Sequence, residues 1–414
     1  MQPAIKDAVL LALEGIKILD LTRVGPGPFC TMILGDLGAG VIKVEAPADA
    51  GDRRQVGAFR SPSKEDRREA AFNPIDRNKQ SLALNLRSER GREIFYRLAL
   101  AADVMVEAYR PGVARRLKID YPALSEINPR IIVCSITGYG QDGPYRDLAG
   151  HEVNYTAMAG ALNLIGEPGR KPALPLTLVA DRGGSAMQAA IGILAAIIAR
   201  AGTGRGQYID ISSMDSVISL LVWPSISYFY HHVVPERGTT TDQGAYPYYG
   251  VYRTKDDKYI AIGCIEPWLW EKFCREIGKE EFIPYHFEPR HLVFPPSDRK
   301  WPEITAHLDR LFLTRTRDEW FESLRQKDIP VGKVNSLDEV FADEQVRHRN
   351  MLIEIDDPEL GRVQQVGIAT RLSGTPGKVR SLAPTYGEHT RAILGELGYT
   401  EGEISHFYRH KIVA

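Results

Sequence analysis

This sequence is poor in three things: cysteine, with four residues in 414; net charge, at −1; and long uninterrupted apolar runs. Cys30, Cys134, Cys264 and Cys274 lie in apolar segments and form no C-x-x-C pair. That excludes a disulfide framework and predicts reduced core thiols in a cytoplasmic protein. The near-zero charge provides no bulk field to gather nucleic acid or anionic lipid, so neither nucleic acid nor membrane is expected as a partner. Any anion site must then be local. A membrane span needs about 18–20 consecutive apolar residues. The longest run, residues 189–199, covers eleven and reads as a buried helix. Residues 1–14 lack the basic flank and apolar core of a signal peptide. The ten histidines form no H-E-x-x-H pattern, so no metal is expected. The first glycine-bearing turn does not spell G-x-G-x-x-G. Pro26 and Pro28 also interrupt the helix start a dinucleotide fingerprint needs, so no nicotinamide cofactor is expected.

The segments present read as an α/β enzyme of two or three domains. Residues 16–21 form a buried strand, 23–28 a turn, 29–37 a helix and 41–45 a second strand, which makes a βαβ unit opening a parallel sheet. Residues 46–78 read as a basic surface loop with Arg53, Arg54, Arg60, Arg67 and Arg68. A strand over 78–86, a helix over 89–101, a strand over 103–107, a helical turn over 113–117 and a strand over 131–136 continue the pattern. Ligands collect at the carboxyl ends of strands in such sheets. Arg23, Lys79, Arg110 and Arg116 stand at element boundaries and suit a ligand with several phosphates.

Residues 150–215 organise the rest. An extended apolar run, 172–180, leads to Asp181, which is placed as the N-cap of a long helix over about 184–200. The free N–H groups there favour an ionised carboxylate, and they could hold an anion developing on a substrate. After a strand at 206–211 and a helix at 215–222, residues 224–248 read as a linker. A smaller α+β domain follows over 249–345: a hairpin (249–252 and 259–263), a helix at 267–278, two helices in 300–326 and a strand at 331–334. The large domain is expected at 14–223, with 346–414 as a linker returning to it through strands at 353–355 and 361–366 and a final helix at 387–397. Three acid–base candidates sit at element boundaries: His151, Asp181 and Glu266. Each also has a purely structural reading, as a carbonyl-bonded histidine or as helix caps.

The combination of motifs resembles the class III CoA-transferase family (CaiB/BaiF type), and within it the α-methylacyl-CoA racemase branch. The resemblance rests on Leu19-Asp20-Leu21, Gly25-Pro26-Gly27-Pro28, Val41-Ile42-Lys43-Val44-Glu45, Asn78-Lys79 and Val106-Glu107-Ala108-Tyr109-Arg110-Pro111-Gly112. It is extended by Thr137-Gly138-Tyr139-Gly140 and Thr203-Gly204-Arg205-Gly206-Gln207. It implies a Rossmann-like large domain with a parallel sheet, a smaller α+β domain and an interlocked homodimer. It also implies an acyl-CoA substrate, with coenzyme A entering as part of the substrate and no permanently bound cofactor. Asp181 matches the catalytic aspartate of the family. Gly150-His151-Glu152-Val153-Asn154-Tyr155 is similar to the racemase Gly-His-Asp-x-Asn-Tyr motif, and Gly263-Cys264-Ile265-Glu266-Pro267 to the segment whose glutamate partners the histidine.

The activity this implies is racemisation beside a CoA thioester, with Asp181 and His151 exchanging protons on opposite faces and Glu266 orienting the imidazole. The alternative is CoA transfer to a carboxylic acid through an Asp181 acyl anhydride. Expected CoA-binding residues are Arg23, Val24, Lys79, Tyr109, Arg110, Arg116 and Tyr139. Three departures from the pattern stand out. Glu152 replaces the racemase aspartate. Ala46 stands where an arginine is common, with Arg53 or Arg54 as substitutes. Residues 239–244 lack the glycine-rich loop of formyl-CoA transferase.

Overall fold

A computed structural model describes residues 10–47, 66–240, 243–286 and 300–414. Two compact units divide the chain. The first comprises Met1–Tyr155, Thr177–Val217 and Glu344–Ala414, the second Thr156–Leu176 and Ile218–Asp343. The second unit therefore takes in a stretch before Asp181 and begins earlier than residue 249.

The first unit is built on six parallel strands: β1 (Lys17–Leu21), β2 (Gly40–Glu45), β3 (Lys79–Ala83), β4 (Val104–Glu107), β5 (Ile132–Thr137) and β6 (Tyr208–Ser212). Their order is β3-β2-β1-β4-β5-β6. Strand order reverses between β1 and β4, which opens a crevice at their carboxyl ends. Successive residues feed opposite faces. Leu19, Met105 and Val133 pack with Phe95, Ile393 and Phe407, while Ile18, Val104 and Ile132 pack with Leu34, Ala189 and Ile193. The sheet is therefore buried on both sides, as its near-continuous apolar strands require.

Several expectations are corrected here. Pro26 does not disturb the first helix but begins it, at Pro26–Asp36. Proline at the first helical position gives up an N–H that has no partner inside the helix anyway. Part of the basic loop is a helix, Arg67–Phe72. Arg53, Arg54 and Arg60 lie outside the described residues. Tyr121–Ile127 is a further helix. Residues 346–414 do more than link. Helix Glu401–Arg409, held by a Thr400/Glu403 capping box, follows Thr390–Glu396 and covers one face of the sheet.

The second unit holds an antiparallel sheet, β7 (Tyr249–Arg253), β8 (Tyr259–Gly263) and β9 (Val331–Lys333). Its core gathers Tyr248, Trp270, Phe273, Phe312 and Trp320. The expected linker contains a helix, Val222–His231. Pro224 sits in its first turn, where a missing N–H costs nothing. In the first unit, β10 (Leu352–Asp357) and β11 (Gly361–Val366) form a hairpin. All four cysteines are buried and unpaired.

Candidate active site

Four segments of the first unit meet at the switch point. The turn after β1 is fixed from beneath by Asp20, which is buried. Asp20 accepts from the Thr22 amide at 2.9 Å, the Thr31 hydroxyl at 2.6 Å and the Lys79 ammonium at 3.0 Å. Lys79 also donates to the Pro28 carbonyl and to Asp76, and Asp76 accepts from Lys43 at 2.8 Å. Lys79, one of the expected CoA-binding residues, thus belongs to the buried frame of the sheet, with its ammonium spent on Asp20, Asp76 and the Pro28 carbonyl. An ammonium with no exposed surface needs such acceptors in place of water.

The turn after β4 hangs on Glu107. Its carboxylate accepts from the Ser135 hydroxyl and from the Tyr109 amide at 2.6 Å. Burial pushes this carboxyl up to about 7 against the opposing pull of those two donors. The turn carries Tyr109 and Arg110 into the crevice.

The third segment is the start of helix Glu152–Met158. His151 precedes it with its ring exposed, and its amide donates to the Asn154 side chain at 3.0 Å. Tyr155 packs edge-on to Tyr139, with centroids 5.2 Å apart, and its hydroxyl donates to the Gly150 carbonyl. Tyr139 thus supports Tyr155 from behind and does not line the pocket.

The fourth segment corrects the placement of Asp181. Leu178–Ala186 is π-helical and continues into Met187–Thr203, so Asp181 lies within a wide first turn, and the residue capping that turn is Thr177. The i→i−5 bond from the Arg182 amide to the Thr177 carbonyl, at 3.3 Å, marks the widened geometry. Gly184 belongs to this turn: a Cβ there would lie 2.9 Å from the Val179 carbonyl oxygen. By length and composition this apolar run is also long enough to cross a membrane. Here Ala189, Ala190, Ile193 and Ala196 pack it into the core, and Arg200 pairs with Asp103 at 2.8 Å.

The free amides expected around Asp181 are occupied. Glu152 accepts the Ala180 amide at 2.8 Å and the Asp181 amide at 2.5 Å. On its other side, Gly25 has φ +72°, and a Cβ there would lie 3.3 Å from Asp181 Oδ2. Arg182 donates to the Gly25 carbonyl at 2.9 Å and lies over the Phe29 ring. Burial first, and then the Glu152 charge, push the Asp181 carboxyl up to about 6, against Arg182 and His151 pulling it down. A carboxyl tuned to that range can both accept and return protons near neutrality.

The resulting pocket has a volume of about 580 Å³ and draws together Arg23, Val24, Tyr109, Arg110, His151 and Asp181. Leu21, Pro26, Ile136 and Leu148 supply apolar wall. Tyr109 also lines a neighbouring pocket of about 180 Å³, with Ala46, Arg87 and Arg116. Of the three acid–base candidates, His151 and Asp181 are together. Glu266 belongs to the second unit, at the N-cap of helix Pro267–Glu276, and its carboxylate makes no bond to that helix start. Sequence reasoning gave no role to Arg87, Arg182 or Tyr155, because nothing in their spacing from 151 or 181 announces contact. Among the described residues, no three His, Cys, Asp or Glu side chains gather as a metal site.

A doubly wound sheet with acid–base groups at its switch point defines an α/β enzyme. The chain belongs to CoA-transferase family III, whose profile matches residues 13–390. It is 31% identical to the human (Homo sapiens) α-methylacyl-CoA racemase over 97% of this chain and 98% of that one. It is 35% identical to succinyl-CoA:glutarate CoA-transferase of Mus musculus over 95% of this chain and 88% of the other. A CAIB/BAIF family protein from Brucella suis superposes with a TM-score of 0.76 at 31% identity, covering 94% of this chain and all of that one.

Proposed function

We propose that the chain is an acyl-CoA racemase or epimerase working at the carbon α to the thioester. The observation that carries this reading is that His151 and Asp181, from different segments, line one pocket, with Asp181 raised to about 6. The α-proton of a thioester is weakly acidic, so its removal needs a placed base and support for the enolate oxygen. Asp181 takes or returns the proton on one face and His151 on the other. The nucleotide end of CoA is assigned to the smaller pocket with Arg87 and Arg116. Tyr109 bridges toward the thioester, and Arg23 and Arg110 face the phosphates and the pantetheine arm. Glu266 enters on motif resemblance alone, and Glu266→Gln is expected to lower turnover more than it changes KM.

A second reading is supported by the CoA-transferase relatives: Asp181 attacks the thioester carbonyl and carries the acyl group to a free carboxylate. Incubating 2-methylacyl-CoA in deuterated water, with and without carboxylate acceptors, separates the two by mass spectrometry. Racemisation deposits deuterium at the α-carbon without an acceptor. Transfer moves CoA to the acceptor and leaves the α-carbon protiated.

The proposal includes a cytoplasmic homodimer with no permanently bound cofactor. Exposed Trp223, Phe229 and Tyr230 on helix Val222–His231 support an assembly surface. Light scattering checks the mass, and a monomer at micromolar concentration would count against it.

A further inference from the structure

Glu152 is buried, with 7% of its surface exposed, and spends both carboxylate oxygens on the backbone that carries Asp181. Carboxylate oxygens withdrawn from water need donors in place of the lost hydration. The amides of Ala180 and Asp181 are those donors here, at 2.8 and 2.5 Å. Two consequences follow. These amides are filled by the chain itself and are closed to a substrate oxyanion. The Glu152 carboxylate that fills them lies against the Asp181 peptide, and the Asp181 side chain remains in the pocket wall.

We propose that Glu152 is the positioning residue of this site: it clamps the peptide of Asp181 in the π-helical turn and holds its own carboxylate against the backbone of Asp181. The proposal rests on the reading of Asp181 as the proton-exchanging group on one face of the α-carbon. One helix start does both jobs. His151 faces the pocket, and the next residue reaches back to the amides 28 and 29 positions along the chain.

Like charges close together in a low-dielectric wall favour protonation of one of them. Arg182 on its own segment and His151 oppose Glu152, and Tyr155 lies on the same helix as Glu152. Arg23 enters the pocket from the turn after β1, Arg110 from the turn after β4 and Arg146 from the segment before His151. Burial is the larger push on the Asp181 carboxyl, and Glu152 is the carboxylate that adds to it.

The test is a carbon-13 NMR titration of the Asp181 carboxyl in the full chain, assigned by comparison with Asp181→Asn. Glu152→Gln and Glu152→Ala each remove the charge, so one folded variant suffices. Either is expected to lower the Asp181 midpoint by about one pH unit. Glu152→Asp keeps the charge and is expected to hold the midpoint within about half a unit. The acid limb of kcat for α-proton exchange should move with the midpoint, while KM changes by less than about three-fold. An unmoved midpoint in the neutral variants, or an equal fall in Glu152→Asp, overturns the proposal. Full exchange activity in Asp181→Asn would instead refute the reading of the active site, and the titration would still decide the role of Glu152.

Discussion

Replacing Glu107 by glutamine should make the protein more stable, and more so the higher the pH. Glu107 is 2% exposed, and burial lifts its carboxyl from 4.5 to about 7. Its folded value exceeds its unfolded one, so the native state binds the extra proton. The associated stability is present below pH 4.5 and is lost as pH rises through 7. At about 1.4 kcal/mol per pH unit, that rise amounts to roughly 3 kcal/mol. Glutamine keeps an oxygen for the Tyr109 amide, and its NH2 group faces the Ser135 hydroxyl, which turns from donor to acceptor, so one bond reverses direction and the titration is lost. Urea unfolding of both chains from pH 4 to 8.5 reads the difference directly, because every other group is shared. The variant should match the natural chain near pH 4 and gain about 3 kcal/mol by pH 8. Parallel curves across that range would refute the assignment of Glu107 as a buried, proton-hungry carboxyl. Loss of stability at every pH would mean that charge on Glu107 is what holds the Tyr109 turn.

Three further outcomes follow from the site. Asp181→Asn should lower kcat by about a thousand-fold or more with KM little changed, as steady-state kinetics would read, because it removes a proton carrier and leaves the pocket. Gly25→Ala combines a φ of +72° with a methyl group 3.3 Å from Asp181 Oδ2. It should cost about 1 kcal/mol or more in thermal unfolding and displace the carboxylate, so kcat falls as well. Arg116→Ala should raise KM for acyl-CoA by roughly ten-fold and leave kcat near its starting value, since it acts on the part of the ligand that does not react.

Legibility in the sequence tracked the range of the interactions. Helix Glu89–Ala101 matches its expected bounds because its signals are local: Ser88 caps the Gly91 amide, and Ile94, Phe95 and Leu98 repeat at helical spacing. The six parallel strands were visible as apolar runs, but their order was not, since a crossover leaves no local trace. Lys79 shows why a cation at a strand end is ambiguous: Asp20 and Asp76, 59 and 3 residues away, turn it inward. Asp181 was misplaced as a cap because Leu178, Val179 and Ala180 are as apolar as a strand, and a π turn has no periodicity of its own to read. Glu152 stood out in the sequence only as a replacement for the racemase aspartate. Its two bonds to Ala180 and Asp181 span 28 and 29 residues, beyond any local pattern.

In the proposed reaction two proton carriers, His151 and Asp181, face one α-carbon from opposite sides. Starting from one enantiomer of a 2-methylacyl-CoA in deuterated water, early time points separate the epimers and count deuterium in each. Two-carrier exchange puts deuterium in the newly formed epimer while the remaining starting epimer keeps its proton, and His151→Ala is expected to stop inversion. Deuterium rising equally in both epimers from the start, or CoA passing to an added acid with no α-exchange, would contradict it.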